Sequence, residues 1–150
     1  MATVYSNTST SGYNDIRIKV DYSGTSATCT VQFKRNGSPG SYGWSDPNAT
    51  LTFNGSTKGA GYSNPGYVGN SWVNLSSASG YSVSTSGGTY NWSFNKGSGA
   101  TLSGSGTVTI PAQTSPPATP TCSAVAQSAS LINVTWGTSN LGTPTGSVTL

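Results

Sequence analysis

Strict alternation of apolar and polar residues is the feature that most constrains the fold of this chain of 150 residues. In segment 15–22 every second residue is apolar, and the residues between are charged; segment 27–34 repeats the alternation with polar residues between. A period of two places the two sets on opposite faces of a β-strand, so the segments predict an antiparallel pair with one buried face. The predicted inward residues are Ile16, Ile18, Val20, Tyr22, Cys29, Val31 and Phe33, and the predicted outward residues are Arg17, Lys19, Asp21, Thr28, Thr30 and Gln32.

Further short strands follow, separated by turn residues. Strands are predicted at 49–53, 71–75, 81–83, 89–95 and 101–110, whereas the Gly-rich segment 59–69 is predicted to be a loop. Asn54-Gly55 is a favoured two-residue hairpin turn. Gly104 and Gly106 fall on the inward side of the last strand, which predicts a bulge or close packing under a large aromatic ring.

Seven to nine short strands in about 110 residues favour an all-β fold, an antiparallel immunoglobulin-like or jelly-roll-like β-sandwich. A small barrel is the alternative. The predicted sandwich covers residues 1–112, and a Pro/Thr-rich linker covers 113–120.

Residues 121–150 are too few for a sandwich of their own. Strands are predicted near 122–126, at 131–136 and at 147–150. The Pro-rich entry, the first of these strands and the second, which ends in Trp136, resemble the start of a fibronectin type III domain, in which that tryptophan is a core residue. Two interpretations stay open: the chain is a fragment of a longer protein, or these incomplete strands complete a sheet in a neighbouring subunit.

The composition excludes most catalytic chemistry. The chain has six Lys or Arg, three Asp and no His, so Ser–His nucleophiles and His-based metal sites are absent. Asp46 precedes a proline, where Asp usually serves as a turn residue bonded to its own backbone. We therefore predict no enzyme, no cofactor and no metal site.

Neither nucleic acid nor membrane is expected as a partner. The closest pair of cations along the chain is Lys34-Arg35, and phosphate binding needs several cations on one surface. No apolar run approaches the roughly 20 residues that span a bilayer. The N-terminal residues lack the basic and apolar regions of a signal peptide, which predicts folding in a cytoplasm.

The two cysteines, Cys29 and Cys122, form no metal-ligand pattern. Two buried free thiols are favoured over a disulfide.

Aromatic residues outside the core pattern are the candidate binding residues. Flat rings beside amide and hydroxyl groups can stack on sugars, and they are also typical of interface hot spots. The alternative for each is a partly buried loop anchor. The candidates are Tyr42, Trp44, Tyr62, Tyr67 and Trp72.

Three segments carry a family resemblance: the opening Met-Ala-Thr, the strand at 13–22 and the closing segment 105–111, which ends in Thr-Ile-Pro. Together they resemble the N-terminal β-sandwich of tail structural proteins from long-tailed bacteriophages of Gram-positive bacteria. The resemblance implies a virion component in the tail tip, the baseplate or a surface fibre, assembled in the host cytoplasm. Its partners would be copies of itself and other virion proteins, with adhesion to cell-wall glycan as a second use. The alternative is a carbohydrate-binding module of a secreted or cell-surface glycan-acting protein.

Overall fold

The computed structural model describes residues 1–37, 39–42, 45–63, 65–95, 102–114, 121–128 and 131–137, and every element in these ranges is a β-strand. The chain divides into two compact units, Met1–Gln113 and Thr114–Leu150. Within the described ranges, no helix has the length and apolar character needed to cross a membrane.

The first sheet of Met1–Gln113 has five strands. They are β1 (Ala2–Tyr5), β2 (Ser9–Ser11), β3 (Asn14–Ser23), β4 (Ser26–Arg35) and β9 (Val73–Ser82). The order is β1-β3-β4-β9, with β2 also paired to β3, and all pairings are antiparallel. The predicted strand pair is confirmed, with Ile18 opposite Val31 at its middle.

The second sheet has the order β11-β10-β6-β7. Its strands are β6 (Thr50–Phe53), β7 (Ser56–Gly59), β10 (Gly88–Asn95) and β11 (Gly104–Ile110). Asn54 and Gly55 both have positive φ, 50° and 74°, which confirms the predicted hairpin turn between β6 and β7. The fold is an all-β antiparallel sandwich, as the alternation predicts.

The core lies between the two sheets and is filled by the alternating residues of both. All the predicted inward residues of β3 and β4 are at most 4% exposed. Phe53 of the second sheet packs against Tyr81 and Tyr90, with ring centroids 5.4 Å away in each case. The predicted close packing of an inward glycine is confirmed, because a Cβ on Gly106 would lie 3.1 Å from Trp92 Nε1.

Strand β9 differs from the prediction of two separate strands at 71–75 and 81–83. It is a single strand of ten residues, interrupted by register shifts that leave Leu75 and Gly80 without partners on β4. The stretch between them is Ser-rich and places only small Ala78 against Cys29, so it lacks the large apolar residues that mark a strand. These bulges twist an edge strand and discourage pairing with another chain.

The predicted loop at 59–69 also contains more structure than expected. Strand β8 (Gly66–Val68) pairs with β5 (Gly40–Tyr42), and Asp46 forms an isolated bridge with Tyr62. Asp46 Oδ1 accepts a hydrogen bond from Asn48 N at 2.9 Å, which confirms the predicted turn role of this aspartate.

Hydrogen bonds join the two sheets near β1 and hold the C-terminal end of Met1–Gln113 in place. Asn7 N donates to Thr107 O at 3.1 Å and so joins the first sheet to β11. Gln113, assigned from sequence to the linker, brackets the β3–β4 turn: Nε2 donates to Gly24 O at 2.6 Å, and Oε1 accepts from Gly24 N at 2.8 Å. Its backbone N donates to Thr85 O at 2.8 Å.

The described part of Thr114–Leu150 is a hairpin. Strand β12 (Thr121–Ser128) pairs antiparallel with β13 (Leu131–Gly137), with Cys122 opposite Trp136. The predicted strands at these positions are confirmed, whereas the fibronectin type III assignment stays a prediction. The predicted last strand at 147–150 lies outside the described residues.

Candidate binding face on the five-stranded sheet

The outward positions of the first sheet form rows that cross its strands. The register places Tyr5, Lys19, Thr30 and Ser77 in one row, and Arg17, Gln32 and Asn74 in the next. Thr10, Asp15 and Lys34 form a third row, and Thr3, Asp21, Thr28 and Ser79 form a fourth. We call these residues, together with Trp72 just before β9, the outer face.

Charge is concentrated on the outer face. Of the nine charged side chains in the sequence, five lie here: Asp15, Arg17, Lys19, Asp21 and Lys34. Because alternate residues of a strand share a face, the four charges of β3 lie on one face, and the register brings Lys34 of β4 beside Asp15.

Arg17 is the centre of this arrangement. Its guanidinium carbon lies 4.3 Å from the ring centroid of Tyr5 and 4.2 Å from that of Trp72. Its Nε donates a hydrogen bond to Gln32 Oε1 at 2.9 Å, and Gln32 Nε2 donates to Asn74 Oδ1 at 3.0 Å. Burial lowers the pKa of Arg17, yet a guanidinium stays charged at any physiological pH. The result is a fixed cation between two aromatic rings.

Both carboxylates of the outer face pair with lysines. Asp21 Oδ2 lies 2.8 Å from Lys19 Nζ, and Thr3 Oγ1 donates to Asp21 Oδ1 at 2.5 Å. The hydrogen bond from Lys19, followed by that from Thr3, lowers the pKa of Asp21, while the same contact with Asp21 raises the pKa of Lys19. Because Asp21 faces Lys19 and Asp15 faces Lys34, Arg17 has no carboxylate partner among the described residues.

Asp15 forms the second pair. Its Oδ2 lies 3.5 Å from Lys34 Nζ, and its Oδ1 accepts a hydrogen bond from Thr10 Oγ1 at 2.7 Å. Lys34 Nζ also lies 5.0 Å from the Trp72 ring centroid. Trp72 is therefore held at the edge of the outer face by two cations, Arg17 and Lys34.

Of the five predicted binding residues, the structure places two on the surface. Trp72 is half-buried on the outer face, and Tyr67 on β8 is 69% exposed. No ring contact joins these two within the described part of the chain. Tyr42 belongs to β5, and its side chain lies outside the described part of the structure, as does the whole of Trp44.

The prediction for Tyr62 is wrong. Tyr62 is only 6% exposed, because its backbone pairs with Asp46 at 2.9 and 3.0 Å and draws the ring into the core, 6.2 Å from Phe94. Burial, with a smaller effect of Asp46, raises the pKa of the Tyr62 hydroxyl. Tyr62 is a core residue and does not belong to a binding surface.

Sequence reasoning missed the most exposed tyrosines of the first sheet. Tyr5 is 50% exposed beside Arg17, and Tyr13 is 67% exposed with the Arg35 guanidinium 5.3 Å from its ring. The available signal was the outward phase of Arg17 and Lys19 on β3, because an outward cation attracts aromatic neighbours from adjacent strands.

An uncharged cleft of about 390 Å³ lies at the contact of β2 with β10 and β11. It is lined by five serines together with Phe94, Asn95 and Gly104. It offers hydroxyl and amide groups to a neutral ligand and no group that could act as a base.

The described residues contain no group of three or more His, Cys, Asp or Glu that could hold a metal ion. Cys29 is a buried free thiol, as predicted for this cysteine, and burial raises its pKa to about 12. It therefore stays protonated and is a poor nucleophile. The outer face, by contrast, offers a cation, two rings and two amides as possible contacts for a ligand.

Comparisons with protein-family models, with curated proteins and with solved structures find no match to this chain. A proposal for its function therefore rests on the outer face and on the sequence resemblance.

Proposed function

We propose that the chain is a non-enzymatic structural module of a bacteriophage virion, in the tail tip, the baseplate or a surface fibre, and that its outer face adheres to host cell-wall glycan. The virion assignment rests on the sequence resemblance of residues 1–111. One observation supports the adhesive role: on the outer face a guanidinium contacts two aromatic rings and is hydrogen-bonded to the first of two linked side-chain amides.

The chemistry of the outer face favours a polar polymer over a large protein interface. Cores of protein interfaces are rich in apolar and aromatic residues and poor in Lys and Asp. The outward positions of β3 and β4 carry no aliphatic side chain in the described register, only charged, amide and hydroxyl groups. Such groups match the hydroxyl groups of sugars, and their existing hydrogen bonds reduce the entropy lost on binding.

Contacts with other copies and with other virion proteins would use surfaces rather than strand addition at β9. The bulges at Leu75 and Gly80 lie in the pairing of β9 with β4. They twist β9 and make its free edge a poor template for another strand. The hydrogen bond between Asn7 and Thr107 occupies part of the opposite edge. The exposed ring of Tyr67 on β8 is an available contact for a neighbouring subunit.

Co-sedimentation with purified Gram-positive cell walls tests the adhesive role. The unmodified chain is expected to pellet with the walls, and Trp72→Ala is expected to weaken binding by at least about tenfold, as for a hot-spot aromatic. Tyr67→Ala is the matched control, because it removes an exposed ring outside the outer face. Equal losses for both variants, or no binding of the unmodified chain, would contradict the proposal.

The second candidate is a carbohydrate-binding module of a secreted or cell-surface glycan-acting protein. The same array of rings and amides supports it. Mass spectrometry of purified virus particles separates the two candidates. Peptides of this chain in the particles support the virion module, and peptides found only in the medium, joined to a hydrolase domain, support the alternative.

A further inference from the structure

We infer that Arg17 binds an acidic group of the ligand, and that the polymer bound by the outer face is a polysaccharide bearing carboxylates. This inference rests on the proposed adhesive function, for which it names the ligand class. It begins from a difference among the three cations of the outer face: Lys19 and Lys34 face Asp21 and Asp15, whereas Arg17 has only neutral partners among the described residues.

The free hydrogen-bonding groups of Arg17 are at the end of its side chain. Nε is engaged with Gln32, and no described residue accepts a hydrogen bond from either Nη group. A guanidinium presents its Nη groups as a planar fork that matches the two oxygens of a carboxylate. The structure therefore leaves the carboxylate-binding part of Arg17 available.

The two rings restrict how a ligand can approach this fork. Tyr5 comes from β1 and Trp72 from beside β9, at opposite edges of the sheet, and each has its ring centroid within 4.3 Å of the guanidinium carbon. A planar acid can approach along the edge of the guanidinium between the rings. A tetrahedral phosphate is bulkier in this position, which favours carboxylate.

The orientation of the guanidinium is set before a ligand arrives. Gln32 is 8% exposed and is held by Asn74, so it fixes Nε in one direction. A fixed fork loses little side-chain entropy on binding. In the neighbouring row, the hydroxyl of exposed Ser77 lies 3.3 Å from that of buried Thr30, and the Ser77 hydroxyl can meet a hydroxyl of the same polymer.

Calorimetric binding to three polymers tests the inference: polygalacturonate, the same polymer with its carboxylates methyl-esterified, and poly(glycerol phosphate). We expect at least about tenfold tighter binding of the acid form than of the ester, and weaker binding of the phosphate polymer. Arg17→Gln should remove the preference for the acid. Arg17→Lys keeps the charge but loses the fork, so it should retain only part of that preference.

Lys58→Gln is the charge-matched control, since Lys58 lies on β7 of the second sheet. An equal loss of preference in this variant would show a response to net charge and overturn the inference, as would tighter binding of the phosphate polymer. Equal binding of acid and ester, with Trp72→Ala still weakening both, overturns the inference but leaves the proposed function standing. If neither these polymers nor cell walls bind, both the inference and the proposed function fail.

Circular dichroism checks the fold of each variant, and Arg17→Lys provides the test if Arg17→Gln does not fold.

Discussion

The two faces of β3 and β4 are built from alternate residues of the same two segments and have opposite characters. On the inner face Ile16, Ile18 and Val20 are completely buried. On the outer face, one residue away along the strand, Arg17 and Lys19 form interactions with rings, amides and carboxylates. A period of two thus lets one pair of strands separate the residues that stabilise the fold from those available for recognition.

The inner and outer faces should contribute unequally to the free energy of unfolding. Burial of large apolar side chains supplies most of the stability, at about 25 cal/mol per Å² of apolar surface. Exposed ion pairs add little, because water screens them and the side chains lose freedom. Substitutions on the inner face should therefore change stability, and those on the outer face should change binding.

The largest effect is expected for Phe53→Ala. Phe53 is fully buried between Tyr81 and Tyr90, so its removal leaves a cavity and should cost about 3–5 kcal/mol of unfolding free energy. Chemical denaturation measures this loss. Below the unfolding transition, cell-wall binding per folded molecule should be unchanged, and a parallel loss of binding would break the division between the faces.

Gly106→Ala should cost about 1–3 kcal/mol through overpacking. The added methyl group would lie 3.1 Å from Trp92 Nε1, in a strand where Gly106 is directly opposite Trp92. Thermal unfolding and the near-ultraviolet dichroism of the tryptophans measure the effect. Gly59→Ala is the control, because a Cβ there meets no atom within 4 Å, and an equal loss of stability in both would contradict the packing argument.

Gln32→Ala tests a residue that faces outward but is nearly covered. Arg17 and Asn74 can turn to water when Gln32 is removed, so the loss of stability should be about 1 kcal/mol or less. Binding to cell walls should fall several-fold because Arg17 loses its orientation. Denaturation and co-sedimentation of the same preparation measure both quantities, and a loss of stability comparable to that of Phe53→Ala would place Gln32 with the core.

The smallest effect is expected from acid titration of Asp21. Its pKa is lowered in the folded state, so its stabilising contribution is present above the unfolded value of about 3.9 and is lost as pH falls through the lower folded value. Two-dimensional NMR titration of the carboxyl group measures this midpoint, with Asp21→Asn as the control. A folded midpoint at or above about 3.9 would contradict the pairing with Lys19.

Much of the fold is predictable from local sequence, whereas the arrangement of side chains on the outer face is predictable only in part. The alternation in 15–22 and 27–34 assigns each residue to the correct face, since it depends on neighbours two positions apart, although the outward-facing Thr30 and Gln32 are themselves only 7% and 8% exposed. The meeting of Tyr5, Arg17 and Trp72 depends on which strands pair and in what register. The alternation predicts the pairing of these two segments and the outward position of Arg17, but no pattern along the chain specifies that the strands of Tyr5 and Trp72 lie on either side.

Local patterns also fail where tertiary contacts override them. Tyr62 lies in a segment rich in Gly, Asn and Pro, which predicts an exposed loop, and only its pairing with Asp46 brings the ring inside. The bulged strand β9 lacks clear alternation because its Ser-rich middle has a small inward residue, Ala78. In both cases the deciding partner is distant in sequence.

The bracket that Gln113 forms around Gly24 has a mechanical consequence. It lies where the chain leaves Met1–Gln113, so tension from the downstream segment would first load the two hydrogen bonds to Gly24 and the one to Thr85. Only after these break would the pull reach Ile110 and begin to detach β11 from β10. Under such a load, the hydrogen bonds of one glutamine would break before the strand pairing that encloses the core.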